Sequence, residues 1–235
     1  MTGRAALSRI ALALDFSTPD DARRFIDRIE APPIVYKIGV ELIYAGGLAL
    51  ADELARSGHA VFIDAKLHDI GRTVERATAV IAGMGAQFLT VHAADRKTLA
   101  GAVRGRSISP LKLLGVTVMT NLDAADLAEQ GLGDPAQAAR RRAAIAREEG
   151  LDGVVASAWE APEVKRLCGA GFLVVTPGVR PAGSAAGDQA RVATPAEAVR
   201  AGADYLVVGR PITESADPKA ALAALASDIE TAAQA

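Results

Sequence analysis

A chain of 235 residues, half of them apolar and 23% charged, is long enough to bury about 70–75% of its unfolded surface without metal or disulfide staples. Twenty-six basic against 28 acidic side chains leave a net charge of −2, which argues against a nucleic-acid binder, because affinity for a phosphate backbone comes from clustered Lys and Arg. Cys168 has no second cysteine to pair with, the segment Met1 to Arg9 carries Arg4 and Arg9 rather than an apolar leader, and no apolar run approaches a membrane span, so a cytoplasmic protein with no membrane part is expected.

In chain order, short β-branched runs alternate with segments whose apolar residues recur at three- and four-residue spacing. Strand Ile10–Leu14 precedes helix Asp20–Ile29, Ile34–Ile38 precedes Leu48–Arg56, and Ala60–Ile63 precedes Val74–Met84. Phe88–Val91 then leads to Arg96–Val103, Leu113–Val118 to Asp134–Glu149, and Gly153–Ala156 to Ala161–Leu167. Phe172–Val175 with Pro195–Arg200 and Tyr205–Val208 with Pro218–Ala233 complete eight pairs. Several helices open on Thr-Pro or Asp-Pro, a start signal.

The strand runs are continuously apolar rather than alternating, as strands covered on both faces require, and that predicts a parallel sheet. Eight βα pairs in this length fit a (β/α)8 TIM barrel as one domain over residues 1–235. A doubly wound open sheet is the alternative. One connection stands out: Pro177 to Gln189 has three Gly and two Pro in thirteen residues without periodicity, where such loops usually run to about 2–6 residues. It reads as a lid or as a surface insertion.

In a barrel, chemistry belongs at the carboxyl ends of the strands, and polar residues gather there. Asp15 follows the first predicted strand, Lys37 closes the second, Asp64 and Lys66 the third, His92 the fourth, Thr120 the fifth, and Gly209-Arg210 the eighth. On a regular strand Asp64 and Lys66 point to one side, roughly 6–7 Å apart. Charges beside an apolar strand are costly to dehydrate unless paired or used on a ligand, and Lys37 with Asp69 would complete a neutral set. A salt bridge without chemical role and a catalytic set are both compatible with this spacing. For Lys66, general acid suits better than Schiff-base nucleophile, because flanking carboxylates favour the ammonium.

The order of motifs resembles the orotidine 5′-phosphate decarboxylase family, in its bacterial branch, over nearly the whole chain. The residues are Leu14-Asp15-Phe16, Lys37-Ile38-Gly39, the D-x-K-x-x-D-I run at Asp64, Lys66, Asp69 and Ile70, and Thr117-Val118-Met119-Thr120. They continue with Thr176-Pro177-Gly178-Val179-Arg180-Pro181, Gly187-Asp188-Gln189-Ala190-Arg191 and Val208-Gly209-Arg210-Pro211-Ile212. The resemblance implies a cofactor-independent carboxy-lyase of pyrimidine biosynthesis that converts orotidine 5′-phosphate to UMP and CO2. It implies a catalytic set of Lys37, Asp64, Lys66 and Asp69, assembled across a homodimer, with Asp69, Ile70 and Thr73 entering the partner's site. Asp15 and Lys37 would hold the ribose, Thr120 the pyrimidine, with Pro177 and Val179 packed near the base. Gly209 and Arg210 would take the phosphate end, Arg180 would contact the substrate, and Gln189 would close a lid at about 177–189.

No metal is expected: the spacing of His59, His68 and His92 fits no compact ligand motif. Trp159 and Cys168 are expected to be packing residues, and Arg140-Arg141-Arg142 a solvated helix face. Two rivals share parts of the pattern. A Mg2+-dependent keto-sugar-phosphate decarboxylase or aldolase of the same superfamily would carry a glutamate ligand where this chain has Lys37, and an ammonium cannot coordinate Mg2+. A non-catalytic nucleotide-phosphate barrel would keep Gly209-Arg210 without turnover.

Overall fold

The apolar runs form eight parallel strands whose last member pairs with the first, so the sheet closes and the open-sheet alternative falls away. This is a computed structural model, and it describes residues 3–30, 32–122, 124–181 and 192–234. The strands are β1 (Ile10–Ala13), β2 (Val35–Gly39), β3 (Ala60–Leu67), β4 (Phe88–His92), β5 (Lys112–Val116), β6 (Gly153–Val155), β7 (Leu173–Thr176) and β8 (Tyr205–Val208). Around them lie α1 (Gly3–Leu7), α2 (Pro19–Arg28), α3 (Val40–Leu42), α4 (Leu48–Arg56), α5 (Gly71–Gly83), α6 (Arg96–Arg106) and α7 (Ala124–Glu129). The ring is completed by α8 (Pro135–Glu148), α9 (Ala161–Cys168), α10 (Pro195–Arg200), α11 (Arg210–Thr213) and α12 (Pro218–Gln234).

The eight predicted strands and the eight predicted helices are recovered within a few residues. Periodicity does not predict α1, α3, α7 or α11, because three to six residues hold too few turns to repeat, whereas α10, also of six residues, is marked by its Thr194-Pro195 start. Between α3 and α4 the chain makes a π-helical turn over Ile43–Gly47, kinked where Gly46 takes φ 95°. Helix starts follow local chemistry. Thr18 accepts from the Asp21 N–H, Asp134 from the Gln137 N–H, and Thr194 with Glu197 forms a reciprocal capping box.

Outward-facing strand residues such as Leu12, Ile38, Ile63 and Leu89 pack against the helices in the larger core. Inward-facing Ala11, Val35, Phe62, Phe88, Leu114 and Val175 fill the barrel. The Phe62 and Phe88 rings meet edge-on at 5.8 Å, and Phe88 meets Tyr205 at 4.9 Å. Each fully buried apolar side chain is worth about 1.5–3 kcal/mol, so this layer makes a solid floor. One residue pair further along the same inward face, β2 and β3 turn charged, at Lys37 and Asp64. Between β2 and β3, then, the chemistry changes while the register holds.

Two expectations are corrected here. Trp159 precedes α9 and is 64% exposed, so it is not a packing residue, whereas Cys168 is buried as expected. Arg142 is not solvated: it donates to the Thr117 carbonyl, and burial pulls its pKa down.

Candidate active site

The carboxyl ends of the strands surround a cavity of about 480 Å3. Asp15, Lys37, Asp64 and Lys66 line one part of its wall, with Thr120 and Pro177, and Arg180, Gly209 and Arg210 also reach it. Nine of the predicted site residues thus converge, though they come from six different strand ends.

The charged side chains form a row. Lys37 Nζ lies 3.4 Å from Asp15 Oδ1 and 3.5 Å from Asp64 Oδ2, and Lys66 Nζ donates to the same Asp64 oxygen at 2.8 Å. The Lys37 and Asp64 side chains are only 9% and 12% exposed, while Lys66 is at 34% and Asp15 at 62%. Charge alternates along the row, so each ion that loses water gains an opposite neighbour, the condition under which buried ions are tolerated. Burial opposes ionisation of Asp64, but Lys37, then Lys66, and the hydrogen bonds from Lys66 and Thr90 outweigh it and hold the carboxyl below its ordinary range.

Thr90 is the residue the sequence reading missed. Its hydroxyl donates to Asp64 Oδ1 at 2.9 Å and accepts the Lys66 N–H at 2.9 Å. A lone hydroxyl inside the apolar run Phe88–Val91 was the available signal. Gly39 is also part of the device: a Cβ there would stand 3.1 Å from Lys37 Nζ and 3.4 Å from Asp15 Oδ1.

The backbone of β3 departs from the regular strand expected of Asp64 and Lys66. Its pairing with β4 shifts between Ile63 and Leu67, and Lys66 takes φ 47°, in the left-handed region. That conformation costs a non-glycine residue about 1–2 kcal/mol, and the Thr90 and Asp64 contacts to Lys66 hold it in place. From this backbone the Lys66 ammonium reaches Asp64 Oδ2 at 2.8 Å.

At another part of the wall, Gly209 sits against β1, where a Cβ would meet Ala13 at 3.3 Å and Asp15 Oδ2 at 3.5 Å. It caps α11, with Pro211 in the first turn, and Arg210 and Arg180 line the same cavity as Asp15. Asn121 and Glu214, which carried no motif, also line the cavity.

Asp69, Ile70 and Thr73 do not line this cavity; all three are exposed, Ile70 at 78%. The Asp69 carboxylate accepts its neighbour Ile70's N–H at 2.6 Å. Val179 is corrected: it is fully buried and bridges to Ala193, so it belongs to the wall behind the cavity rather than to its surface. Gln189 and the 182–189 part of the expected lid lie outside the described residues. The His92 and His68 rings lie tilted to one another with centroids 5.5 Å apart, and His68 Nε2 lies 3.8 Å from Asp95 Oδ2. His59 instead meets Tyr36 edge-on at 5.4 Å near the opposite end of the barrel.

Comparisons with known proteins point to one family. A protein of Methylobacterium sp. (strain 4-46) named orotidine 5′-phosphate decarboxylase is 54% identical over 228 residues, covering 95% of this chain and 96% of that one. A protein of Rhodopseudomonas palustris (strain BisA53) with the same name is 51% identical over 226 residues, covering 95% of each. The crystal structure of orotidine 5′-phosphate decarboxylase from Lactobacillus acidophilus superposes with a TM-score of 0.81 at 32% identity, over 94% of this chain and 99% of that one. Residues 8–225, which contain the whole row and the arginine corner, match the model of one family, and the chain belongs to it: orotidine 5′-phosphate decarboxylase / HUMPS.

Proposed function

We propose that this chain decarboxylates orotidine 5′-phosphate to UMP and CO2, and the observation that carries the reading is the buried Lys37–Asp64–Lys66 row at the cavity wall. Breaking the C6–carboxylate bond leaves an electron pair on C6 with no adjacent carbonyl to take it up as a simple enolate, so stabilisation must be electrostatic. The Lys66 ammonium is already aimed into the cavity by the strained backbone and by Asp64. It stabilises the carbanion and then delivers its proton to C6, while CO2 leaves. Asp64, itself paired with Lys37, keeps that ammonium in place before substrate arrives, and each 1.36 kcal/mol of barrier removed by such preorganisation is about tenfold in rate.

The Gly209-Arg210 corner and Arg180 take the phosphate dianion through backbone N–H groups and guanidiniums. Asp15 and Lys37 hold the ribose hydroxyls, Thr120 the pyrimidine, and Pro177 packs near the base. Segment 177–189, with Gln189, closes over the phosphate, so that binding energy from the non-reacting end orders the site.

The exposure of Asp69 and Thr73, together with Ile70 and the 87% exposed Tyr44 near the same end of the barrel, supports a homodimer in which these residues complete the partner's cavity. Lys37 supports a cofactor-free enzyme, because an ammonium has no lone pair for Mg2+ at the position where the metal-dependent relatives would need a carboxylate. A cytoplasmic setting follows from the same pathway assignment.

The test is absorbance loss of orotidine 5′-phosphate in the presence of excess chelator. Undiminished turnover is expected. Activity abolished by chelation and restored by Mg2+ would move the chain to the metal-dependent branch. Binding of UMP without any turnover would make it a binding barrel.

A further inference from the structure

The β3–α5 loop carries Asp69 and Ile70, which would serve a neighbouring cavity, yet their side chains touch little of their own subunit. What fixes the loop comes from α6. The Thr98 hydroxyl is buried, 3.1 Å from the Asp69 carbonyl and 2.8 Å from Asp95 Oδ2. Asp95 is the N-cap of α6 and accepts the Thr98 N–H at 2.8 Å. One hydroxyl proton is therefore shared between the cap and the loop. One residue into α5 the two helices touch main chain to main chain. A Cβ on Gly101 would lie 2.3 Å from the Gly71 carbonyl oxygen, and a Cβ on Gly71 would lie 2.7 Å from that of Lys97. Thus α6 grips the loop at Asp69 and again at Gly71, two residues before Thr73.

The Asp69 carboxylate is bonded to the N–H of Ile70, so its direction follows the main chain that Thr98 holds. We propose that Thr98 is a positioning residue for the neighbouring active site: it sets the Asp69 carboxylate and the adjoining turn that one subunit presents to the other. This rests on the reading that Asp69 acts across a dimer. Among the described residues, the hydrogen bonds of Thr98 reach Asp95 and Asp69, neither of which lines its own subunit's cavity, so its influence is felt in trans and not in cis.

Thr98→Val keeps size and branching while removing the hydroxyl. The variant is expected to dimerise and to lose about tenfold in kcat/KM, consistent with the loss of one hydrogen bond, and Thr98→Ser is expected to restore most of it. If the valine variant does not fold, Thr98→Ala carries the same test. Heterodimers purified with two tags then assign the direction. Lys66→Ala paired with Asp69→Ala is the control: one intact site, near half the wild-type activity, is expected, and no recovery there would remove the shared-site reading itself. With that control met, Thr98→Val paired with Lys66→Ala is expected to give the same half activity, because the competent cavity receives an unaltered loop. Thr98→Val paired with Asp69→Ala is expected to stay about tenfold lower. Equal activity in the two pairings, impairment with Lys66→Ala, or a homodimer matching wild type would each overturn the proposal.

Discussion

Asp64 and Asp69 stand five residues apart on one segment, and their surroundings are opposite. Asp64 lies in the barrel mouth with two ammoniums on one oxygen and the Thr90 hydroxyl on the other. Asp69 stands in the open on the loop above, bonded to the N–H of its own neighbour. A dehydrated carboxylate between cations shapes both the stability of the fold and the field in the cavity. An exposed one adds little to either until another surface covers it. A motif continuous in sequence is therefore divided in space. Its first half is wired into this barrel, and its second half is presented outward beside apolar Ile70.

The largest effect is expected where the inner half meets the substrate. Lys66→Ala is expected to lower kcat by about 10³-fold or more, in line with removal of a preorganised charge-stabilising group, while UMP still binds through the Arg210 corner. Turnover assays and UMP titration of the same preparation check this. Comparable turnover in variant and wild type would take Lys66 out of the mechanism.

Stability separates the two halves most directly. Removing Asp64 leaves Lys37 and Lys66 facing one another without their shared anion. Breaking a buried pair costs about 3–5 kcal/mol, and with Lys66 a third exposed the lower end, about 3 kcal/mol, is expected for Asp64→Ala. Asp69→Ala changes an exposed group and is expected to stay within about 0.5 kcal/mol. Urea unfolding of both variants decides it, while each is expected to lose catalysis. Equal stability losses would erase the distinction drawn between the halves.

Arg210 tests the ligand-facing side of the inner region with a smaller expected change. Arg210→Ala removes charge-assisted hydrogen bonds worth about 1.5–3 kcal/mol, so UMP affinity is expected to fall by about 10- to 100-fold with uridine binding unchanged and the fold preserved. Unchanged UMP affinity would refute the phosphate corner.

Much of this was legible from residues alone, for physical reasons. Strands buried on both faces must be continuously apolar, so all eight announced themselves, and the charged residues that end them were conspicuous against that background. The bulge at Lys66 was not legible, because an alanine and a lysine carry no signal for a left-handed φ; the bond from its N–H to Thr90 on the neighbouring strand accompanies it. Val179 was misplaced for a similar reason: it sits among loop residues in sequence but bridges to Ala193 from beyond the loop. Arg142 looked solvated within a triple-arginine run, yet the Thr117 carbonyl captures it. In each case a non-local partner overrode a local pattern.

The smallest expected effect links the two halves through His92. Its ring lies tilted against that of His68, which belongs to the outer loop, while its charge neighbours include Lys66 and Asp64 of the inner row. Burial first, then His68, Arg142 and Lys66, push its pKa below the ordinary histidine value, against a smaller upward pull from Asp64. The folded protein then holds this proton less tightly than the unfolded chain, whose histidine titrates near 6.5. Stability linked to His92 is whole above that value and declines as pH falls from it through the lower folded pKa. Asp64, also depressed, contributes stability that is present above the ordinary carboxylate range and is lost as pH falls through its folded value. Acid is thus expected to weaken the fold in two stages, the outer-linked imidazole first and the inner carboxylate later. His92→Gln is expected to flatten the first stage, seen as urea midpoints between about pH 7 and pH 5, and to leave the second in place. The same slope in variant and wild type across that interval would assign the first stage to other groups and leave the two halves electrostatically independent there.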